Sequence, residues 1–101
     1  MNKLFSYNKM DFSFSHMTDD VRVESQSGEE LLYEQRKMTH CEVTQNGKTI
    51  ADGYAIVHPG DSFTRSTGRK IALTCAIEAL NLDRTSRKEI WHTYFNKLGH
   101  Y

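Results

Sequence analysis

Hydrophobic and polar positions alternate along the first half of the chain with a period of two, as they do in a strand that buries one face. Residues 10–14 read Met-Asp-Phe-Ser-Phe, and the alternation resumes at Val21 and Val23. Polar residues at 18–20 and at 25–28 predict turns. One long strand is then predicted from about Glu30 to Val43.

The dipeptide Asn46-Gly47 predicts a tight hairpin. Both residues tolerate the positive φ that a two-residue type I′ turn requires, and that turn matches the twist of the flanking strands. Centring the hairpin there places Val43 opposite Ile50, and the returning strand covers residues 49–57. Gly53 within that strand predicts either a bulge or a close approach to the backbone.

The spacing of apolar residues becomes helical after Pro59. A first helix is predicted over residues 61–81, with Asp61, Ser62 or Thr64 as its N-cap. A second helix is predicted over residues 84–98. It starts at Asp83 or Thr85, Ser86 and Glu89 form a capping box, and Gly99 stops it. The stripes predicted to face the core are Ile71, Leu73, Ala76, Ile77 and Leu80 in the first helix, and Trp91, Tyr94, Phe95 and Leu98 in the second.

Strands followed by helices indicate an α+β fold. We expect a single domain over residues 1–101, in which residues 1–57 form an N-terminal antiparallel sheet of about four strands and two C-terminal helices pack on one of its faces. A length of 101 residues suits one hydrophobic core, and a content of 38% hydrophobic and 26% charged residues is that of an ordinary folded domain. A chain this short buries only a modest fraction of its surface, so a homo-oligomer is expected.

Charge is distributed unevenly, although the formal net charge is zero. Residues 1–34 carry seven acids and three bases, whereas the remaining residues carry ten bases and six acids. This asymmetry favours head-to-tail self-association or a local anion site in the second half. A solvated mixture of charges that averages out is the alternative.

Several classes of function lack their sequence patterns. None of the five histidines lies in a nucleophile elbow, and His40 and Cys41 are strand neighbours that point to opposite faces. No spacing of His, Cys, Asp and Glu matches a zinc or calcium site, and Cys41 and Cys75 are isolated, as buried unpaired cysteines are. No catalytic residue, metal or cofactor is therefore predicted. Without a signal-peptide core or a run of roughly 20 apolar residues, the chain is predicted to be cytoplasmic, with no membrane partner.

The basic segment at residues 58–70 is the principal candidate site. After Phe63 it places Arg65, Arg69 and Lys70 in the first turns of a predicted helix, where unpaired N–H groups and the helix dipole favour anions. Arg65 and Arg69 are four residues apart, so they share one face and can clamp a phosphate or pyrophosphate. The alternative is that Asp61, Glu78 or acids of the first half simply pair with these arginines.

The second predicted helix repeats this basic beginning with Arg84, Arg87 and Lys88. Antiparallel helices separate their N-terminal ends, so a site that uses both Arg65 and Arg87 requires a second subunit. A solvated face beside Glu89 is the alternative.

Part of the second half resembles the double-stranded RNA-binding domain. The resemblance rests on residues 42–53, Glu-Val-Thr-Gln-Asn-Gly-Lys-Thr-Ile-Ala-Asp-Gly, and on residues 68–72, Gly-Arg-Lys-Ile-Ala. That domain begins with a helix and ends at the Ala-rich helix, whereas this chain begins with strand-like sequence and adds another helix. Neutral net charge further weakens a duplex-binding interpretation, because such binding depends on many phosphate contacts.

A longer stretch, residues 38–95, resembles small phage-encoded proteins, among them the Thoeris anti-defence sponges. The resemblance is carried by His58-Pro59-x-Asp61-x-Phe63-x-Arg65, by Gly68-Arg69-Lys70-Ile71-Ala72-Leu73 and by Arg87-x-x-Ile90-Trp91-x-x-Tyr94-Phe95. Members of that family are α+β oligomers that bind a bacterial immune messenger, a cyclic ADP-ribose isomer or a cyclic oligonucleotide, without cleaving it. Residues 1–34 fall outside the resemblance.

The resemblance implies a non-catalytic protein that sequesters a phosphorylated cyclic nucleotide in the host cytoplasm. In this hypothesis Arg65, Arg69 and Lys70 hold the phosphates. Phe63 stacks on a base, Asn46 or Asp61 bonds ribose hydroxyls, and Arg87 joins from a second subunit. Two alternatives remain: a nucleic-acid-binding protein of similar architecture to the RNA-binding domain, and a protein-binding inhibitor of a host factor that acts through Asp19, Asp20, Glu29 and Glu30.

Overall fold

The chain forms a four-stranded sheet followed by two helices, which confirms the predicted α+β fold. The computed structural model describes residues 3–24, 31–57 and 64–98. The strands are β1 (Lys3–Tyr7), β2 (Met10–Glu24), β3 (Leu31–Gln45) and β4 (Lys48–Ile56), and the helices are α1 (Arg65–Leu80) and α2 (Arg84–Leu98).

The sheet is an antiparallel meander in the order β1-β2-β3-β4. The predicted hairpin at Asn46-Gly47 is confirmed, with φ values of 54° and 77° at the two turn residues. A second tight turn joins β1 to β2 at Asn8 and Lys9, with φ values of 49° and 66°. Sequence reasoning missed this turn because lysine seldom adopts a positive φ, so Asn8 was its only local signal.

β2 is much longer than predicted, whereas β3 confirms the long strand predicted from about Glu30 to Val43. The turn predicted at residues 18–20 is wrong, because Thr18, Asp19 and Asp20 pair in the ladder with Lys37, Arg36 and Gln35. Cross-strand pairing supports these polar residues in an extended conformation that their own propensity disfavours. β1 pairs only with residues 10–13 and β4 only with residues 38–45. Residues 18–24 and 31–37 therefore continue beyond both strands as a two-stranded segment, called the ribbon below.

The register between β3 and β4 differs from the prediction by one residue. Val43 lies opposite Ala51 rather than Ile50, because an irregularity after Val43 leaves Ile50 as an extra, 42% exposed residue. The shift turns Ala51, Gly53 and Ala55 toward the helices. A Cβ at Gly53 would lie 2.3 Å from the carbonyl oxygen of Ala72. Of the two expectations for Gly53, close backbone approach is therefore confirmed.

Both helices cover one face of the sheet and enclose a single aromatic-rich core. Phe5 and Phe12 stack at 4.5 Å between ring centroids, and the ring of Tyr94 meets Phe5 edge-on. Tyr94 is fully buried and Trp91, Phe95 and Leu98 pack around the core, which confirms the predicted α2 stripe. In α1, Ile71 is 49% exposed and Ala72 is buried. Each residue turns about 100° around a helix, so position 71 lies off the face that Leu73, Ala76 and Ile77 bury.

The helix ends agree with prediction in part. Thr64, one of the three predicted N-caps, is confirmed because it is extended and its hydroxyl accepts from the Thr67 N–H, and the first helix therefore begins at Arg65 instead of residue 61. Asp83, one of the two predicted starts of α2, is confirmed as its cap because it accepts from the Ser86 N–H at 2.9 Å, and this bond replaces the predicted Ser86–Glu89 capping box. Gly99, the predicted stop of α2, lies outside the described residues. Neither described helix has the length and apolar character needed to cross a membrane.

Candidate functional site

A groove of about 340 Å³ lies where the ribbon leaves the sheet beside the first turn of α1. Three elements line it: β2, β3 and α1. The lining residues are His16, Met17, Thr18, Lys37 and Arg65. The groove thus collects cationic or titratable side chains from parts of the chain that are far apart in sequence.

Arg65 and Arg69 lie one helical turn apart on α1, as predicted. Both guanidinium charges depress the pKa of His16, so both lie close to that imidazole. Arg69 also donates from Nε to the hydroxyl of buried Tyr94 at 3.4 Å. Within residues 3–24, 31–57 and 64–98, no carboxylate pairs with either guanidinium. The structure therefore brings two cations together without an acid from the described chain.

His16 is the titratable group at the centre of this arrangement. Its Nδ1 lies 2.7 Å from the hydroxyl of Thr39, a fully buried residue that pairs with it across the β2–β3 ladder. Burial lowers the pKa of His16 from its ordinary value, and the charges of Arg65 and Arg69 lower it further. The imidazole is therefore neutral at neutral pH. The Thr39 hydroxyl can donate to a neutral ring or accept from an imidazolium, so this contact survives either protonation state.

Other predicted site residues lie away from the groove. Lys70 places its Nζ 5.8 Å from the centroid of the Phe95 ring and so turns toward α2. Asn46 occupies the hairpin turn, seven positions beyond Thr39 on β3, which is roughly 23 Å at strand rise. Asp61 and Phe63 lie outside the described residues.

Arg87 is separated from Arg65 by the length of α1. α1 has 16 residues, hence roughly 24 Å at helical rise, and α2 begins just beyond its far end. The contact between Arg69 and Tyr94 shows that α2 returns antiparallel to α1. Arg87 is therefore absent from the groove within one subunit, as the sequence argument anticipated.

Sequence reasoning missed His16, Lys37 and Thr39. No local motif marks them, because each is a single polar residue on a strand. They meet only through the long β2–β3 ladder, and the turn wrongly predicted at residues 18–20 hid that ladder. The cross-strand pairing of His16 with Thr39 joins residues 23 positions apart.

A second polar cluster lies on the outer face of the sheet, the face turned away from the helices. His40 stacks on Tyr54 at 4.2 Å between centroids, and its Nε2 lies 3.2 Å from a carboxylate oxygen of Asp52. Ser15 is the ladder partner of His40, which assembles Ser, His and Asp on neighbouring strands. The backbone N–H groups of a strand lie in the plane of the sheet and point toward the neighbouring strands. The strands therefore direct no pair of N–H donors at an oxyanion that forms beside the Ser15 side chain. We interpret this cluster as structural.

The two cysteines have different environments, and both are free thiols. Cys41 is buried on the helix side, opposite in direction to His40 as predicted, and burial raises its pKa to about 12. Cys75 is exposed, so the prediction that both are buried is wrong for it. Among the described residues, no three His, Cys, Asp or Glu side chains gather where they could hold a metal ion. Comparison with protein-family models, with curated proteins and with solved structures finds no match to this chain.

Proposed function

We propose that the protein binds a small phosphorylated ligand without cleaving it and holds a phosphate in the groove beside α1. The observation that carries the proposal is the pair Arg65 and Arg69, which no carboxylate of the described chain neutralises and which flanks a groove lined by Lys37 and His16. Cations near a helix N-terminus oppose the helix dipole, and the first turn of α1 contains no acid. A bound anion would relieve that conflict.

The dimensions of the groove favour a small ligand. Its volume of about 340 Å³ falls within the roughly 300–1,000 Å³ of small-molecule sites. Arginine forks bind phosphate oxygens in a bidentate manner, and the unpaired N–H groups of the first helical turn add further donors. A pyrophosphate could contact both arginines at once.

The finer proposal is a phage anti-defence protein that sequesters a cyclic nucleotide immune messenger, either a cyclic ADP-ribose isomer or a cyclic oligonucleotide, in the host cytoplasm. Its support is the sequence resemblance over residues 38–95 together with the placement of Arg65 in a groove of suitable volume, one helical turn from Arg69. Recovery of the ligand unchanged after prolonged incubation with the protein tests the absence of cleavage.

Calorimetry with cyclic ADP-ribose isomers and with cyclic di- and trinucleotides tests the binding. We expect the variant Arg65→Gln/Arg69→Gln to weaken binding roughly tenfold to a hundredfold, since hydrogen bonds to charged groups contribute about 1.5–3 kcal/mol. The matched control is Arg84→Gln/Arg87→Gln, which removes two cations from the start of α2, away from the groove. Equal losses in both variants, or no heat from any ligand with the folded protein, would contradict the proposal.

Nucleic-acid binding through the same cations is the second candidate. The observation that favours it is that Lys37 and Arg65 line an open groove at the root of the ribbon. It predicts affinity for duplex RNA or DNA that falls steeply with salt concentration. A gel-shift series at increasing salt separates it from small-ligand binding.

We also propose that the protein forms a homo-oligomer. Ile50, Tyr54 and Ile56 of β4 are exposed apolar residues, and burial against a second copy would remove them from water. Native mass spectrometry of protein taken directly from cells would report the number of subunits and any retained small molecule together.

A further inference from the structure

The position of His16 in the groove and its contact with Thr39 suit it to contact a ligand directly. It lines the groove from β2, and Thr39 of β3 holds its Nδ1. A ligand in the groove would therefore contact the imidazole ring. Because Thr39 is fully buried, the ring is anchored to the core and not to a mobile surface side chain.

The charges around this ring come from every neighbouring element. α1 contributes Arg65 and Arg69, and β3 contributes Lys37. From α2, the hydroxyl of Tyr94 orients Arg69. On β2 itself, the acid Asp20 lies in the ribbon, four positions beyond His16 and on the same side of the strand. The charges of Arg65 and Arg69 disfavour protonation of the imidazole while the groove is empty.

A bound dianion would reverse this balance. It would neutralise the two guanidinium charges and would supply an acceptor for an N–H of the imidazolium. One proton would then pass from solvent to the imidazole as the anion binds, and it would return to solvent on release.

We propose that His16 binds the ligand's phosphate directly as an imidazolium, and that binding is coupled to the uptake of one proton. This inference rests on the proposed anion site and specifies its ligand chemistry: a phosphate or pyrophosphate group with two or more negative charges. Affinity then rises as pH falls between the His16 pKa of the complex and the lower His16 pKa of the empty groove. Within that window each pH unit strengthens binding by up to about tenfold.

The test follows the His16 ring protons by NMR during pH titration, with and without sulfate. Sulfate is a suitable probe because it does not titrate between about pH 5 and pH 8 and remains a dianion there. Any proton taken up on binding is therefore taken up by the protein. We expect sulfate to raise the pKa of His16 by about one unit or more, which corresponds to about tenfold tighter binding to the protonated form. Acetate, a monoanion, should produce a much smaller change.

The variant His16→Gln should weaken sulfate binding several-fold near pH 5.5 and hardly at all near pH 8. His92→Gln is the matched control, because His92 is exposed on α2 outside the groove. Since the pKa titration uses the unmodified chain, it decides the question even if His16→Gln does not fold.

The outcomes separate the two proposals. Sulfate binding that leaves the pKa of His16 unchanged would overturn the role of His16 and leave the anion site standing. Failure of sulfate, phosphate and every nucleotide tested to bind the folded protein would overturn both.

Discussion

At the scale of single residues, Gly53 determines how closely α1 approaches the sheet. A Cβ at this position would lie 2.3 Å from the Ala72 carbonyl oxygen and 2.6 Å from the Ala76 backbone nitrogen. Neither atom can move without displacing the helix. α1 carries Arg65 and Arg69, so the distance between this helix and β4 also sets where the two guanidinium groups meet His16 on β2.

We predict that Gly53→Ala lowers the free energy of unfolding by about 1–3 kcal/mol, the usual cost of overpacking a core. The measurement is urea denaturation followed by circular dichroism. Gly47→Asn is the control: nothing lies within 4 Å of a Cβ there, and asparagine tolerates the φ of +77°. A Gly53→Ala variant as stable as the wild type would show that α1 does not contact β4 as closely as described.

At the scale of elements, the turn between the helices positions α2 beneath the candidate site. Asn81 ends α1 in the left-handed conformation, with its N–H donating to the Glu78 carbonyl at 3.2 Å. Asp83 then caps α2, which returns along α1 until Tyr94 reaches Arg69. The orientation of Arg69 therefore depends on a cap formed at Asp83, eleven positions before Tyr94, a dependence that no local pattern reveals.

Asp83→Ala should lower the thermal midpoint by a few degrees at pH 7, because an N–H at the start of α2 loses its acceptor. Hydrogen bonds from the Ser86 side chain and backbone hold the pKa of Asp83 below its usual range. A depressed pKa means that the carboxylate stabilises the fold fully above its unfolded pKa of about 4 and progressively less as pH falls through the folded value.

Thermal unfolding of wild type and Asp83→Ala from pH 7 down to about pH 2 checks this, and the two midpoints should converge at the acid end. Asp83→Asn keeps a capping oxygen without the charge, so it should retain most of the stability and lose the pH dependence. A constant difference between wild type and Asp83→Ala across this range would contradict the assigned cap.

At the scale of the whole molecule, the ribbon gives the chain an elongated shape. The extents are 48 × 29 × 25 Å and the radius of gyration is 15.5 Å. A compact domain of this length would have a radius of gyration of about 13 Å. Thr18 and Lys37 at the root of the ribbon line the groove. Motion of the ribbon would therefore change the shape of the candidate site.

Amides in the ribbon should exchange with solvent at least ~100-fold faster than amides of the same two strands within the sheet, because two-stranded ribbons are marginally stable alone. Native-state hydrogen exchange read by NMR makes the comparison within one sample. The internal controls are Phe12 and Val43, which face the core from the same strands. Equal protection would indicate that a second copy or a ligand covers the ribbon.

The sequence by itself determined the features that depend on near neighbours in the chain. It predicted the α+β order of elements, the Asn46-Gly47 hairpin, the core stripe of α2 and the shared face of Arg65 and Arg69. Each of these follows from a period or a turn conformation set within a few residues, so composition and spacing suffice to find them.

Only the tertiary structure decided which residues from distant parts of the chain contact one another. The β2–β3 register brings His16 to Thr39, and the folded lengths of β3 and α1 separate Asn46 and Arg87 from the groove. One extra residue in β4 directs Gly53 and not its neighbours toward α1. A shift of one residue reverses every side chain of a strand, and packing between distant segments chooses among such shifts, so no local pattern in the chain can settle them.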